Sequence, residues 1–328
     1  MRGVFARGSS KGLAVLAASV LVLSACSGSG GKEAEEDTGG SGPRLEIAMV
    51  THSAPGDTFW DIVQKGAQAA ADKDNVEFLY SADPDGGKQA QLVQAAIDKK
   101  VDGIIVTLAK PDAMKDVLAR AAAADIPVVS INSGQEESAE LGAIAHFGQD
   151  ESIAGEAAGT ELGKIGASKA LCVVHEQGNV GLEARCDGAR KTFDGDLENL
   201  FVQGANMPDV KSSITAKLQS DKSIDGVLTL GAPFAATAVD SVEETGSEAK
   251  IGTFDLNKDL IASIKSGAIE FAVDQQPYLQ GYGAVDQLWL LKNNGNVLGG
   301  GRPVLTGPAI VTKDNAAELE AFADRGTR

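Results

Sequence analysis

The chain has 328 residues, of which 43% are hydrophobic and 23% are charged, so it is long enough for two globular domains of ordinary size. Its 46 acidic residues outnumber its 29 basic residues, and the formal net charge at pH 7 is −17. This charge argues against nucleic acid as a partner.

The N-terminal segment, residues 1–25, has the pattern of an export signal. Three basic residues precede the apolar run 13–23, which is too short for a membrane-spanning helix. The run ends in Leu-Ser-Ala-Cys, which resembles the bacterial lipobox and implies cleavage before Cys26 and lipidation of its thiol. An ordinary signal peptide with a chance cysteine is the alternative. We therefore expect an exported, extracytoplasmic protein that is held at the outer face of the cell membrane by lipid alone.

After Cys26 the sequence predicts a tether and then a folded body. Residues 26–43 are rich in Gly, Ser and Glu and lack apolar periodicity, which is typical of a flexible linker. From Arg44 onward, short β-branched runs alternate with amphipathic helical patterns. Near-continuous apolar strands separated by helices indicate an α/β fold with parallel sheets covered on both faces. The predicted strands are 45–51, 76–80, 103–107, 127–131, 170–175, 200–203, 226–229, 250–254 and 270–273.

The alternation is interrupted near residues 141–149, where a short strand occurs without a long helix before it. A second series of strands and helices then begins. We interpret the chain as two doubly wound, Rossmann-like lobes, in which ligands gather at the carboxyl ends of the strands.

Planar polar side chains recur at those strand ends. Asp, Asn, Gln and Arg match hydroxyls that both donate and accept, and an aromatic ring suits the C–H face of a sugar. We therefore predict a monosaccharide or polyol site, with Phe59 and Trp60 as its aromatic wall; the alternative is that these rings only cap the core. The predicted ligand-binding residues are His52, Asp57, Phe59, Trp60, Asn132, Gln149, Arg185, Asp255 and Gln275, with Ser133, Glu176 and Asn179 as weaker candidates.

The order and spacing of several segments resemble the type I periplasmic binding proteins, in particular the branch that resembles ribose-binding proteins and feeds sugar ABC importers. The segments are the aromatic pair after the first strand, PVVSINSG (127–134), IAHFGQDESIAGEAAG (144–159), GN…ARCDG (178–188), IGTFD (251–255) and FAVDQQPYLQG (271–281). The resemblance implies two lobes joined by a three-crossover hinge. It places the N-terminal lobe at 44–149 plus about 276–304, and the C-terminal lobe at 150–275 plus about 305–328.

The same resemblance gives roles to individual positions. Asn132 and Ser133 lie where the ribose binder has Asp and Arg, and Gln149 and Gln275 lie at crossovers. Gly231 replaces an amide. The resemblance also makes Asn206 a weaker ligand-binding candidate, because it lies where the family has an aromatic wall, although no ring is present there. These departures favour a ligand other than ribose, such as a linear polyol or a larger hexose.

The implied function is hinge closure on a sugar or polyol and its delivery to an ABC permease by a monomeric lipoprotein. A ligand-binding subunit of a sensor or chemoreceptor system is the alternative. No GxGxxG after a strand, acid–base pair or nucleophile setting points to an enzyme, so we expect neither catalysis nor a cofactor. A repressor of the same fold would need a basic helix-turn-helix where the export signal lies.

Cys172 and Cys186 are the two cysteines that follow Cys26. Export permits a disulfide between them. Cys172 lies on a predicted strand and Cys186 in the helix that follows it, so a local bridge is geometrically possible. Two buried free thiols are the alternative. Neither CxxC nor a Cys/His cluster is present, so no metal site is expected.

Overall fold

A computed structural model describes residues 44–328 of the chain; the predicted signal peptide, Cys26 and the tether lie outside the described residues. Strands and helices alternate through most of this range. The strands are β1 (Glu46–Thr51), β2 (Glu77–Ala82), β3 (Gly103–Thr107), β4 (Val128–Ile131), β5 (Ala145–Gln149), β6 (Lys169–Val174), β7 (Asp196–Phe201), β8 (Gly226–Thr229), β9 (Lys250–Phe254), β10 (Phe271–Asp274), β11 (Val304–Gly307) and β12 (Ala309–Thr312). The helices are α1 (Thr58–Lys73), α2 (Gly86–Lys99), α3 (Pro111–Ala123), α4 (Gln135–Ser138), α5 (Glu151–Lys164), α6 (Val180–Thr192), α7 (Met207–Ser220), α8 (Ala232–Thr245), α9 (Lys258–Ser266), α10 (Pro277–Asn294) and α11 (Ala316–Asp324).

Two six-stranded sheets organise these elements into two lobes. The first lobe contains the sheet of order β11-β5-β4-β3-β1-β2, and the second contains the sheet of order β12-β10-β9-β8-β6-β7. All pairs are parallel except β10 with β12, which is antiparallel. This arrangement confirms the α/β fold class that the sequence predicts.

Each sheet lies between two helical layers and has an apolar core on each face. In the first lobe α1 and α10 cover one face, and α2 and α3 cover the other. In the second lobe α5 and α6 pack on one face, with α7, α8 and α9 on the other. The strands are therefore buried on both sides, which explains their continuous apolar runs.

The chain passes between the sheets three times. It leaves the first sheet after Gln149, returns after Asp274, and changes sheet again at Pro308, between β11 and β12. The boundary expected near residue 304 falls at the start of β11, which still belongs to the first sheet. These three adjacent connections are the segments about which the lobes can rotate.

The strand expected at 200–203 is displaced: β7 spans Asp196–Phe201. It is an edge strand that carries polar side chains and is only partly buried. An edge strand need not be continuously apolar, so the pattern that located the central strands failed here.

Cys172 on β6 and Cys186 on α6 are joined by a disulfide in the structure. Both residues are fully buried within the core that lies between β6 and helices α5 and α6. Among residues 44–328, no helix combines the length and the apolarity required to cross a membrane.

Candidate functional site

A closed cleft lies between the lobes, at the carboxyl ends of the central strands. We call its deepest part the inner chamber. Side chains from both lobes line it. The main lining residues are His52, Asp57, Phe59, Trp60, Asn132, Ser133, His175, Asn179, Arg185, Phe234, Asp255 and Gln275.

Asn132 and Asp255 occupy equivalent positions in the two lobes. Each directly follows a central strand, has a left-handed backbone with φ of 65° and 67° respectively, and donates its backbone N–H to the adjacent strand. Asn and Asp tolerate this conformation better than other residues with a Cβ, but it still costs free energy. Such strain at matching strand ends is typical of a functional site and turns both side chains into the cleft.

Gln275 connects these two residues at a crossover between the lobes. Its side-chain oxygen accepts from Asn132 Nδ2 at 3.0 Å, and its Nε2 donates to Asp255 Oδ1 at 2.6 Å. Gln280 Nε2 also donates to the Gln275 oxygen at 2.9 Å and fixes the amide orientation. One buried amide at the hinge thus joins the polar groups of both lobes.

Arg185 is held in the inner chamber by a buried ion pair. Its Nε and Nη2 donate to the two carboxylate oxygens of Glu151 at 2.6 and 2.8 Å, and Nη1 donates to the carbonyl of Leu230 at 3.1 Å. The guanidinium also lies over the Phe254 ring, 4.5 Å from its centroid. Arginine carries five N–H donors, so two remain for a ligand in the chamber.

Gln149, predicted to bind the ligand directly, does not line the chamber. It is fully buried and donates to Glu151 at 2.9 Å, so it lies behind the ion pair. The sequence placed it at the right crossover, but the side chain supports Arg185 through Glu151.

The aromatic pair at the start of α1 serves both the chamber and the core. Asp57 caps the helix by accepting from the Phe59 backbone N–H at 3.1 Å. Trp60 packs edge-on against both Phe59 and His52, with ring centroids 5.0 Å apart in each case. Both rings line the chamber and also belong to the core of the first lobe. The pair therefore lines the chamber, as an aromatic wall would, and also caps the core, as the alternative interpretation holds.

Burial perturbs the carboxyl groups of the chamber. Desolvation raises the pKa of Asp57 to about 6 and that of Asp255 to about 7, the nearby Arg185 offsetting part of the effect for Asp255. Burial thus disfavours the charged form of both carboxyl groups. Hydroxyl donors from a ligand would stabilise that charged form.

Burial disfavours the charged form of the two imidazoles of the cleft. Burial lowers the pKa of His52, and burial with the charge of Arg185 lowers the pKa of His175 to about 3. His52 Nδ1 lies 2.8 Å from the Thr107 hydroxyl, which fixes its ring. His175 stacks on Phe234, with ring centroids 4.0 Å apart, and its Nδ1 is shielded from solvent without a hydrogen-bond partner among the described residues.

The mouth of the cleft is closed by contacts between the lobes. Lys110 Nζ pairs with Glu176 Oε1 at 2.8 Å, and the Val180 backbone N–H donates to the Ala109 carbonyl at 3.1 Å. Asn179 caps α6 and donates to Glu176 at 3.0 Å. Burial acts to raise the pKa of Glu176, but its charged and hydrogen-bonding neighbours outweigh this and lower it.

The structure brings together ten of the thirteen candidate ligand-binding residues. Gln149 lies behind the ion pair, Glu176 lies at the mouth, and Asn206 caps α7 outside the inner chamber. Sequence reasoning missed Phe234, whose stack with His175 supplies an aromatic surface in the second lobe. The motif LGAPFA after β8 contained the signal, a ring close to a strand end. It also missed Glu151, which no local pattern distinguishes from a solvated helix residue.

No group of three or more His, Cys, Asp or Glu side chains within residues 44–328 is arranged to hold a metal ion. The inner chamber instead presents carboxylates, a guanidinium, amides and flat rings. These groups suit an uncharged molecule rich in hydroxyls.

Comparison with known proteins gives consistent matches over most of the chain. A family model described as periplasmic binding protein domain matches residues 47–296. The ribose import binding protein RbsB of Bacillus subtilis is 26% identical over 275 residues, which cover 81% of this chain and 88% of the relative.

Two solved structures share the fold and are more similar in sequence to this chain than the Bacillus subtilis relative is. A carbohydrate transporter from Acidothermus cellulolyticus 11B, in complex with myo-inositol, is 52% identical with a TM-score of 0.86, covering 87% of this chain and 100% of the other. An ABC transporter solute binding protein from Agrobacterium vitis with bound D-fucose is 27% identical with a TM-score of 0.76, covering 85% and 99% respectively.

Proposed function

Since the chain belongs to the periplasmic binding protein family, we propose that it binds a monosaccharide or polyol between its lobes and delivers it to the permease of an ABC importer. The single observation that carries this proposal is the inner chamber, where Arg185, Asp255 and Asn132 face aromatic rings from both lobes. The 52% identical relative with bound myo-inositol makes a cyclic polyol the first ligand to test.

Each group in the chamber has a role in this proposal. Asp57 and Asp255 accept hydrogen bonds from ligand hydroxyls, while the free donors of Arg185 bind ligand oxygens. Trp60 and Phe234 contact the C–H surfaces of the ring from opposite lobes. No bond in the ligand needs to be made or broken, so the proposed activity is binding without catalysis.

Closure of the lobes couples binding to transport. Gln275 lies at a crossover and contacts polar residues of both lobes, so a ligand on Asp255 and Asn132 would favour the geometry in which all three meet. A ligand shifts the equilibrium only by its differential affinity for the closed form. The permease then has one conformation to recognise.

Binding proteins of this family act outside the cytoplasm, and we propose that this one is a monomer anchored through a lipid on Cys26. One acyl chain gives only marginal membrane binding, whereas a diacylated cysteine holds a protein stably. Replacement of Cys26 by serine should release the protein from the membrane fraction, as measured by fractionation and immunoblotting. Retention of the Cys26→Ser variant would show that another part of the chain anchors it.

Isothermal titration calorimetry of the purified protein with myo-inositol, D-ribose, D-fucose and a linear hexitol tests the ligand assignment. We expect saturable binding of at least one of these compounds, abolished or strongly weakened by Asp255→Ala. Exposed Asp116 on α3 makes no side-chain hydrogen bond within the described structure, and Asp116→Ala is the matched control. If the two variants bind ligand with equal affinity, the ligand does not bind in the inner chamber.

A further inference from the structure

The cleft does not end at the inner chamber. A second cavity of about 700 Å³, which we call the outer chamber, adjoins it and also lies between the lobes. Its volume falls in the range of small-molecule sites. Six residues line both chambers: His52, Asp57, Trp60, His175, Pro233 and Phe234.

On the side of the second lobe, close backbone packing forms the boundary between the chambers. The Gly204 backbone N–H donates to the His175 carbonyl at 2.9 Å, and a Cβ on Gly204 would lie 2.7 Å from that carbonyl oxygen. A side chain on Gly204 would also lie close to the Phe234 ring. Glycine is therefore required for the backbone to pack against the stacked pair of His175 and Phe234.

His175 offers an unused polar atom at this boundary. Its Nδ1 is shielded from solvent and has no hydrogen-bond partner among the described residues. An unpaired buried polar atom lowers stability, and this one is tolerated beside the ring stack. A ligand spanning the two chambers would pass beside this ring.

An exposed aromatic ring lies on the wall of the outer chamber. Phe201, at the carboxyl end of β7, is 49% exposed and is one of few large apolar side chains exposed to this extent among the described residues. Beside it, Gln177, Gln203 and Ser213 line the chamber, and their side chains make no hydrogen bond within residues 44–328. A flat apolar surface beside free amides and a hydroxyl suits the two kinds of surface on a sugar ring.

The charged groups of the outer chamber are already engaged. Glu176 pairs with Lys110 at 2.8 Å, Asp209 accepts from the Gln203 backbone N–H at 3.1 Å, and Asp57 accepts from the Phe59 backbone N–H at 3.1 Å. The excess of acidic residues over basic ones in the chain also opposes a phosphate or carboxylate occupant. The chamber therefore favours an uncharged, hydroxylated occupant.

We propose that the outer chamber is a second subsite, which accepts a sugar ring joined by a glycosidic bond to the polyol or sugar held in the inner chamber. This inference rests on the proposed function and narrows the ligand class to glycosides of polyols and to disaccharides. The free amides and the hydroxyl bind the hydroxyls of the second ring, Phe201 supports one of its faces, and the His175 ring lies beside the linkage.

Calorimetry with myo-inositol and with galactosyl-myo-inositol, in which galactose is linked to the same cyclitol, tests the subsite. We expect the glycoside to bind at least as tightly as myo-inositol. Phe201→Ala should weaken glycoside binding about three- to tenfold and change myo-inositol binding less than twofold, because one ring–ring contact is lost.

A variant that fills the outer chamber gives an independent readout. Ala205 is an exposed residue on its wall, so Ala205→Trp should exclude the glycoside and spare myo-inositol; Ala123→Trp, at the exposed end of α3, is the matched control. Binding of myo-inositol without binding of the glycoside would overturn the subsite and leave the proposed function intact. Equal effects of Ala205→Trp on both ligands would also overturn the subsite. Absence of binding by either compound would contradict the proposed function for cyclitols and the subsite with it.

Discussion

Lys110 Nζ lies 2.8 Å from Glu176 Oε1, which joins the segment after β3 in one lobe to the segment after β6 in the other. The side chains of Lys110 and Glu176 are 29% and 20% exposed, so the pair is less screened than an ordinary surface ion pair. Lys110 also donates to the Pro84 carbonyl at 2.7 Å, which orients its stem. The closed form therefore contains an ionic contact that any opening of the cleft must break.

We predict that Lys110→Met accelerates ligand release and weakens affinity about two- to tenfold, because the closed state loses this contact. Stopped-flow fluorescence measures the release rate, and calorimetry measures the affinity. Lys115 is exposed on the neighbouring helix and forms no ion pair within the described residues, so Lys115→Met is the control. The double variant Lys110→Met/Glu176→Gln should lose less binding free energy than the sum of the losses in the two single variants. Strict additivity would show that the two side chains do not interact in solution.

The bidentate pair of Arg185 with Glu151 leads to a second prediction. Glu151→Gln should lower the free energy of unfolding by about 3 kcal/mol, because it leaves a buried guanidinium without its counter-charge. Arg185→Lys should lower ligand affinity at least tenfold, because an ammonium cannot reproduce the planar fork. Urea unfolding and calorimetry provide the two measurements.

Arg302→Lys is the matched control for Arg185→Lys, because Arg302 is exposed and its side chain makes no hydrogen bond within residues 44–328. It should leave stability and affinity unchanged. If Arg185→Lys binds ligand like the unmodified protein, the guanidinium is structural and does not contact ligand.

Trp60 predicts a spectroscopic response to ligand. The chain has two tryptophans, Trp60 in the cleft and Trp289 on α10. Because Trp60 lines both chambers and is only 4% exposed, ligand binding should change its emission. The change should persist in Trp289→Phe and disappear in Trp60→Phe. A ligand response that survives in Trp60→Phe would place the signal outside the cleft wall.

The disulfide between Cys172 and Cys186 predicts a stability difference. It closes a short loop between residues separated by 14 positions. Replacement of both cysteines by alanine should lower the free energy of unfolding by about 3 kcal/mol, chiefly through the entropy of the unfolded chain. Thiol titration of the unfolded, unreduced protein should find neither residue free. Two reactive thiols at these positions would contradict the bridge.

The sequence predicts the fold well where strands are buried on both faces, and less well elsewhere. Central strands such as β3 and β9 appear at the expected positions because continuous apolar runs are required between two helical layers. The edge strand β7 has no such requirement, and its position was missed. Local patterns therefore identify the strand ends, and with them most of the inner chamber.

Contacts between side chains that are far apart in the chain could not be predicted from the sequence. We expected Gln149 to contact ligand, but its side-chain amide donates to Glu151. Glu151 in turn accepts from Arg185, so Gln149 acts on the chamber only indirectly. The contact of His175 with Phe234 joins residues after two different strands, and it forms only when glycines allow close packing. Periodicity reports the face on which a side chain lies, and does not report its partner.

Asp255 provides the last prediction, in which stability and binding change in opposite directions. Burial raises the pKa of this carboxyl from 3.8 to about 7, so at pH 8 the folded protein holds a charge whose desolvation is only partly offset by Arg185 and Gln275. Asp255→Asn should therefore raise the unfolding temperature at pH 8. It should lower ligand affinity by about 2 kcal/mol or more, because hydrogen bonds to a charged acceptor are lost.

The pH dependence has a definite sign. Between pH 3.8 and about 7 the folded state retains a proton on Asp255 that the unfolded state has released, so stability falls as the pH rises through this window. The stability gain of Asp255→Asn should be largest above pH 7 and shrink towards pH 4. Asp57 also acts to raise the pKa of Asp255, and this neighbour is present in both proteins. Thermal unfolding of the two proteins at pH 8 and pH 5 measures it, with Asp116→Asn as the control. A gain that is the same at both pH values would mean that Asp255 titrates normally and that the cleft does not desolvate it.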